Sequence, residues 1–524
     1  MKNYKYIGLL LLSIGFASCD VNNELDVIPE ELVEEVALNT DDLDFSNYVS
    51  IGASFTAGFT DGGLFIAAQE NSFPNILAGK FGVQASFNQP LMSDNIGGLL
   101  LGGNVIQGPR LYFDGAGPAS LSATPTTEVT NNVGGSLNNF GVPGAKSFHL
   151  LAPGYGNVAG IQLGLANPYF ARMASSASAT VIGDAMAQSP TFFTLSEIGG
   201  NDVLGYALSG GSGVDQSPSA GNPTGNLDPS TYGGNDITNP LVFGQVFNGM
   251  VATLTSGGAK GVVANVPYIT SLSHFTTVPY NPVPMSVGLA TQVNAAYAPY
   301  NGGLQQLLDA KNAGLLPAPI IQLLADFDQS EVDKRTISFS GGQNAVVIID
   351  EDLTDLTAIN PALVSMRQAT AEDLLVLTSS TFIGTLADPN NAASVNGVGV
   401  PLGDQWVVTP EEQLAIKTAT DAYNGIIEAT ASANANIVMV DFKGLLDEAS
   451  TTGIVFDEYT MTTSLVTGGL VSLDGVHLTA RGYALMANKI LAAMDDEFGS
   501  NFTTATGGLA TAGDYPTNYS PLLQ

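Results

Sequence analysis

The chain has 524 residues, 45% of them hydrophobic and only 12% charged, with 60 glycines and 27 prolines. A disordered chain would carry fewer apolar residues and more charge, so this composition describes a globular body with long polar loops, either one large elaborated domain or two to three ordinary ones. Lys+Arg 15 against Asp+Glu 48 leave a formal charge of −33, which repels phosphate backbones and argues against nucleic acid as a partner.

Lys2 and Lys5 precede an apolar run from Tyr6 to Phe16, followed by Ala17-Ser18-Cys19. A basic start, a short apolar core and small residues before a cut site mark a secretory signal. The run is too short to span a bilayer, which takes about 20 apolar residues. Cys19 is the only cysteine, so no intramolecular disulfide can form. Its position resembles the lipobox of a bacterial lipoprotein, although Phe16 is a less usual residue three places before the cysteine. Residues 1–19 therefore read as a lipoprotein signal with Cys19 as the lipidated residue; the alternative is an ordinary cleaved signal with an incidental cysteine. The resemblance implies export across the inner membrane and anchoring in the cell envelope as an outer-membrane lipoprotein, with the periplasmic or surface face left open.

Residues 20–46 carry ten acidic and no basic side chains and read as a self-repelling tether. The folded part, a single domain over 47–498, opens with a β-rich run at 45–51. Similar unalternating runs at 191–198, 262–266 and 437–442 predict strands buried on both faces. Between them, 99–138 and 209–239 are Gly-, Asn- and Thr- or Ser-rich excursions. Helices are expected at 287–308, at 409–433 behind the capping box Thr409-Pro410-Glu411-Glu412, and from Thr479 through Ile490. The mixed stretch 314–408 predicts a cap or small subdomain, and 499–524 an extended tail. Strands alternating with helices predict a parallel α/β sheet.

Four short stretches carry chemistry. Ser54 follows Gly52-Ala53 at the end of the first strand, where open α/β sheets bind ligands. A helix starting there would offer N–H groups to an oxyanion. The same Gly-X-Ser also suits a plain turn. Asn139-Phe140-Gly141-Val142-Pro143-Gly144-Ala145-Lys146 puts the Gly144 N–H at a tight turn, and is equally an ordinary type II turn. Glu197-Ile198-Gly199-Gly200-Asn201-Asp202 places an amide donor, Asn201, just after a strand. Asp474-Gly475-Val476-His477 supplies a base with a carboxylate three residues before it. A serine hydroxyl needs a base to take its proton, and the imidazole needs an acceptor at its other nitrogen. Only three histidines are present; His149 and His274 are read as structural.

In this order the four stretches resemble the SGNH family, also called GDSL hydrolases, over residues 49–490. The resemblance implies a three-layer α/β/α fold with a mostly parallel five-stranded, flavodoxin-like sheet and long loop or cap insertions. It further implies Ser54 as nucleophile, His477 as base, Asp474 as its partner, and Ser54, Gly144 and Asn201 as oxyanion donors. The activity implied is ester hydrolysis on acyl lipids or acetylated glycans of the envelope. One departure stands out: where the family's first block usually reads Gly-Asp-Ser-Leu, this chain has Gly52-Ala53-Ser54-Phe55, losing a carboxylate that helps organise the loop. A non-catalytic surface lipoprotein that binds glycan or lipid on a decayed hydrolase fold is the alternative. No cofactor or metal is expected. The 326–333 acidic spacing lacks the glycine and final acid of a calcium loop, and Asp350-Glu351-Asp352 reads as a solvated loop.

Overall fold

The structure is a computed structural model and describes residues 35–524. The signal 1–19, with Cys19, and the tether as far as residue 34 lie outside the described residues. Leu38–Gln524 form a compact unit.

Five parallel strands build the central sheet: β1 (Tyr48–Gly52), β2 (Asn139–Gly141), β3 (Phe192–Leu195), β4 (Lys260–Ala264) and β5 (Ile437–Val440), in the order 2-1-3-4-5. Every residue of β1 and β3 is buried, which is why these segments read as continuous apolar runs without alternation. Burial on both sides requires cover on both faces. One pair of helices, Phe73–Lys80 (α1) and Ala480–Phe498 (α2), packs together and against β5; the other, Pro240–Thr255 (α3) and Pro410–Ser432 (α4), does the same. Phe243 of α3 stacks on Tyr423 of α4 with ring centroids 4.4 Å apart. The helix starts follow the sequence signals: Thr479 Oγ1 accepts the Gly482 N–H at 3.0 Å, and Thr409 with Glu412 closes the expected capping box.

The edge strand β2 was not expected. Its three residues, Asn139-Phe140-Gly141, are too short and too polar to register as a strand, yet they pair with Ser50, Ile51 and Gly52. Because β2 and β3 flank β1 on opposite sides, the chain reverses direction at β1. Sheets of this kind open a crevice beyond the carboxyl ends of the strands at such a reversal. The segments leaving β1, β2 and β3 there contain Ser54, Gly144 and Asn201.

The large insertion differs from the expectation in extent. A second apolar core draws on Met285, Tyr297, Leu304, Val347, Leu363 and Val398. The helix Val287–Asn312 belongs to that core, so the inserted body starts some thirty residues before 314. Asp350 also departs from the solvated-loop reading. It is fully buried and paired with Arg367 at 2.5 Å, whose guanidinium also binds Asp373 at 2.6 Å. Asp328 caps the short helix Gln329–Arg335, accepting the Glu331 N–H at 3.1 Å. The excursion after residue 99 forms two small hairpins, Leu99–Leu101 with Asn104–Gln107 and Leu111–Phe113 with Pro118–Ser120. The tail is extended but anchored, with Phe502 fully buried and Arg110 Nη2 donating to Ser520 O and Leu523 O at 2.8 and 2.9 Å. Among the described residues, no helix is long and apolar enough to cross a membrane.

Candidate active site

Strand β1 ends at Gly52 and a single helical turn, Ser54–Ala57, follows at once. Two close approaches make this possible. A Cβ on Gly52 would overlap Thr56 Oγ1, and one on Gly141 would overlap the Ala57 backbone, so β2 and the turn fit only because both positions are glycine. Asn139 Nδ2 then donates to Thr56 O at 2.8 Å, holding the turn from the β2 side.

From the β3 side the brace is a carboxylate that the sequence reading quoted without a role. Glu197 Oε1 accepts the N–H groups of Ala53 at 2.6 Å and Thr56 at 2.9 Å, and Oε2 accepts the Thr56 hydroxyl at 3.1 Å. Burial pushes the Glu197 carboxyl up to about 7, against the pull of these donors. Position 53 carries no acid, and an acid 144 positions away in sequence organises this loop.

Asp474 and His477 meet within one turn. Asp474 Oδ2 faces His477 Nδ1 at 2.9 Å and also accepts the Gly62 N–H at 2.8 Å. Asp474 Oδ1 accepts the N–H groups of Val476 at 2.9 Å and His477 at 2.8 Å. Burial alone would raise this carboxyl, but His477 and the backbone donors hold it well below the usual carboxylate range. It therefore stays ionised and fixes which imidazole nitrogen faces away from the carboxylate.

The imidazole packs against the segment that follows Ser54. Its ring centroid lies 5.8 Å from that of Phe55 and 4.6 Å from that of Phe59. Tyr483 Oη donates to Phe59 O at 2.6 Å, tying α2 to the same segment. No hydrogen bond joins Ser54 to His477 in this structure; the two are brought together through Phe55 and Phe59. Such bonds are commonly long before substrate binds.

Two further residues behind Asp474 had no local sequence signal. Asp61 donates its N–H to Ser472 Oγ at 3.0 Å and accepts the Leu473 N–H at 3.1 Å, locking the Gly62 donor in place. Burial pushes the Asp61 carboxyl up to about 7, with the charge of Asp474 adding to the effect. His274 lies on the other side, its Nδ1 3.3 Å from Asp474 O. His149 is stacked on Tyr155 at 4.4 Å and accepts the Lys146 N–H at 3.1 Å; burial pushes it down to about 4. Neither ring lines the cleft at Ser54.

The other two expected donors, Gly144 and Asn201, sit on adjoining segments. Gly144 is exposed with φ of 78°, a left-handed turn that favours glycine. Its N–H and that of Ser54 have no acceptor among the described residues. Asn201 begins the helix Asn201–Leu208 (α5), and its Nδ2 donates one hydrogen to Ala145 O at 2.9 Å, leaving the other available. Asp202 clamps the same two loops by accepting the Ser147 N–H at 2.9 Å and hydroxyl at 2.7 Å.

Ser54, Glu197 and Asn201 line one cleft whose remaining wall is carbon: Leu204, Val266, Leu272, Phe442, Leu446 and Met486 among others. No residue of 314–408 lines it. Trp406 instead stacks on Phe382 with centroids 4.5 Å apart.

The chain matches no protein-family model, no curated protein and no solved structure.

Proposed function

We propose that the protein is a serine ester hydrolase of the SGNH type, with Ser54 as nucleophile, His477 as base and Asp474 as the group that orients and stabilises the imidazole. The observation that carries this reading is Asp474, saturated by three backbone N–H groups and His477 Nδ1, with the imidazole packed against Phe55 and Phe59 of the segment that follows Ser54.

In this mechanism Ser54 Oγ attacks the ester carbonyl carbon as its proton passes to His477 Nε2. The carbonyl oxygen becomes an oxyanion facing Ser54 N–H, Gly144 N–H and Asn201 Nδ2. Collapse breaks the ester C–O bond, and the protonated imidazole gives its proton to the departing alkoxide. Water then attacks the acyl-enzyme with His477 again taking the proton, and Ser54 leaves as the free hydroxyl while the acid is released. The carboxylate of Asp474 stays ionised throughout.

The largely carbon-walled cleft beside Ser54 favours an acyl chain over an acetyl group on a sugar, and Trp406, the one tryptophan that a glycan platform would use, stacks half-buried on Phe382 and does not line that cleft. We therefore place acyl lipids ahead of acetylated glycans as substrates. In this reading the body is held at the cell envelope through lipid on Cys19. A series of p-nitrophenyl esters tests the assignment: kcat/KM should rise about tenfold or more from acetate to octanoate, since each buried CH₂ contributes ~0.8 kcal/mol. Equal background rates for wild type and Ser54→Ala on every ester would favour the non-catalytic binding protein.

A further inference from the structure

Away from the cleft, three carboxylates from separate segments point at one another. Glu351 follows the inserted strand Val347–Ile349, Asp404 opens the turn Asp404–Trp406, and Glu412 lies in the first turn of α4. One oxygen from each lies within 4.8 Å of the others. None of the three is in an ion pair among the described residues; the cations of this region, Lys334 and Arg367, reach Asp350 instead.

Glu412 is the decisive member. Its Oε2 serves the capping box, accepting the Thr409 N–H at 2.6 Å. Its Oε1 is fully buried and has no hydrogen-bond partner, although the residue is only 4% exposed. A buried ionised oxygen without a donor is strongly disfavoured, and the same carboxylate lies against two more acids. We infer that Glu351, Asp404 and Glu412 bind a hard divalent cation of the Ca²⁺ class.

The spacing fits that ion. Oxygens bound to Ca²⁺ at ~2.3–2.6 Å can lie up to ~5 Å apart, and Ca²⁺ accepts irregular carboxylate sets more readily than the strictly octahedral Mg²⁺. Three carboxylates held this close, one of them buried, repel one another. A cation relieves that repulsion without a trapped proton. Glu351 is exposed and Asp404 partly so, which leaves a path for a hydrated ion. The Gly210-Gly211 turn just beyond α5 abuts the cluster, and a Cβ on Gly211 would overlap Glu412 Oε1. The ion would thus join the inserted body, α4 and the helix that begins at Asn201.

The full chain, treated with EDTA and returned to metal-free buffer, is titrated calorimetrically with CaCl₂ and separately with MgCl₂, without ester present. The expected result is one Ca²⁺ per chain with sub-millimolar affinity and a rise in Tm of roughly 2–5 °C at saturating Ca²⁺. Glu351→Gln, at an exposed position that does not threaten folding, should weaken binding at least about tenfold, and Glu351→Gln/Asp404→Asn should abolish both heat and Tm shift. Absence of heat with either ion, tighter binding of Mg²⁺ than of Ca²⁺, or unchanged Ca²⁺ affinity in Glu351→Gln would overturn the assignment. Because no ester is involved, loss of hydrolytic activity would leave this result unaffected.

Discussion

Asp474 and Glu412 are both enclosed carboxylates near the start of a long helix, and their surroundings treat them in opposite ways. Asp474 meets three backbone N–H groups and an imidazole, and sits well below its ordinary pKa. Glu412 meets one backbone donor and two acids, and is pushed up to about 9. Burial acts on both in the same direction, so the difference lies in what each neighbourhood donates. The first is a site finished by the chain itself; the second lacks a positive partner. Glu197 stands between them, served by three donors yet still pushed up to about 7 by its burial.

Substitutions can break this contrast at several points. The largest effect is expected from Asp474→Asn, which keeps the shape but removes the charge that stabilises the imidazolium: kcat should fall ~10⁴-fold with Tm little changed. A drop smaller than tenfold would mean that the saturation of Asp474 is structural rather than catalytic. Next, Asn201→Ala removes a single oxyanion donor and should cost ~10²–10³-fold in kcat, about 2.7–4 kcal/mol of barrier, with KM nearly constant.

Glu197→Ala should lower kcat by roughly 10–100-fold through loosening of the Ser54 turn, because the Ala53 and Thr56 donors lose their acceptor. Glu197→Gln, which keeps an acceptor for both, should recover most of the rate. The smallest effect is on pH dependence. A carboxyl whose folded pKa lies above its ordinary 4.5 binds more protons in the folded state, so the wild type should lose stability as pH rises from about 4.5 to about 7. Chemical denaturation across that window should show a shallower decline in Glu197→Gln, and an identical slope in both proteins would place the pH dependence elsewhere.

Much of the sheet was legible because β1, β3, β4 and β5 are apolar on both faces and interrupted by glycine, a pattern that needs no partner to be recognised. The edge strand β2 was not, since three residues with Asn and Gly gain their strand character only from pairing with β1. The helix Val287–Asn312 was visible as a helix, but no local signal says which core it covers, and so the inserted body was expected to start too late. At the site, Ser54, Asn201, Asp474 and His477 stood out because their types and spacing serve one reaction. Glu197 was in plain view, but no local signal tied it to the turn after Gly52, because its donors lie more than 140 positions away. Asp61 and the Gly62 donor were invisible, because their contacts to 472–474 span more than four hundred positions.

Labelling with a fluorophosphonate ester followed by peptide mass spectrometry tests the central claim most directly. Modification should fall on Ser54 alone, at a rate reduced by at least about a hundredfold in His477→Ala. A wild-type chain that takes up no label at Ser54, or a His477→Ala variant labelled just as fast, would contradict the assignment of nucleophile and base.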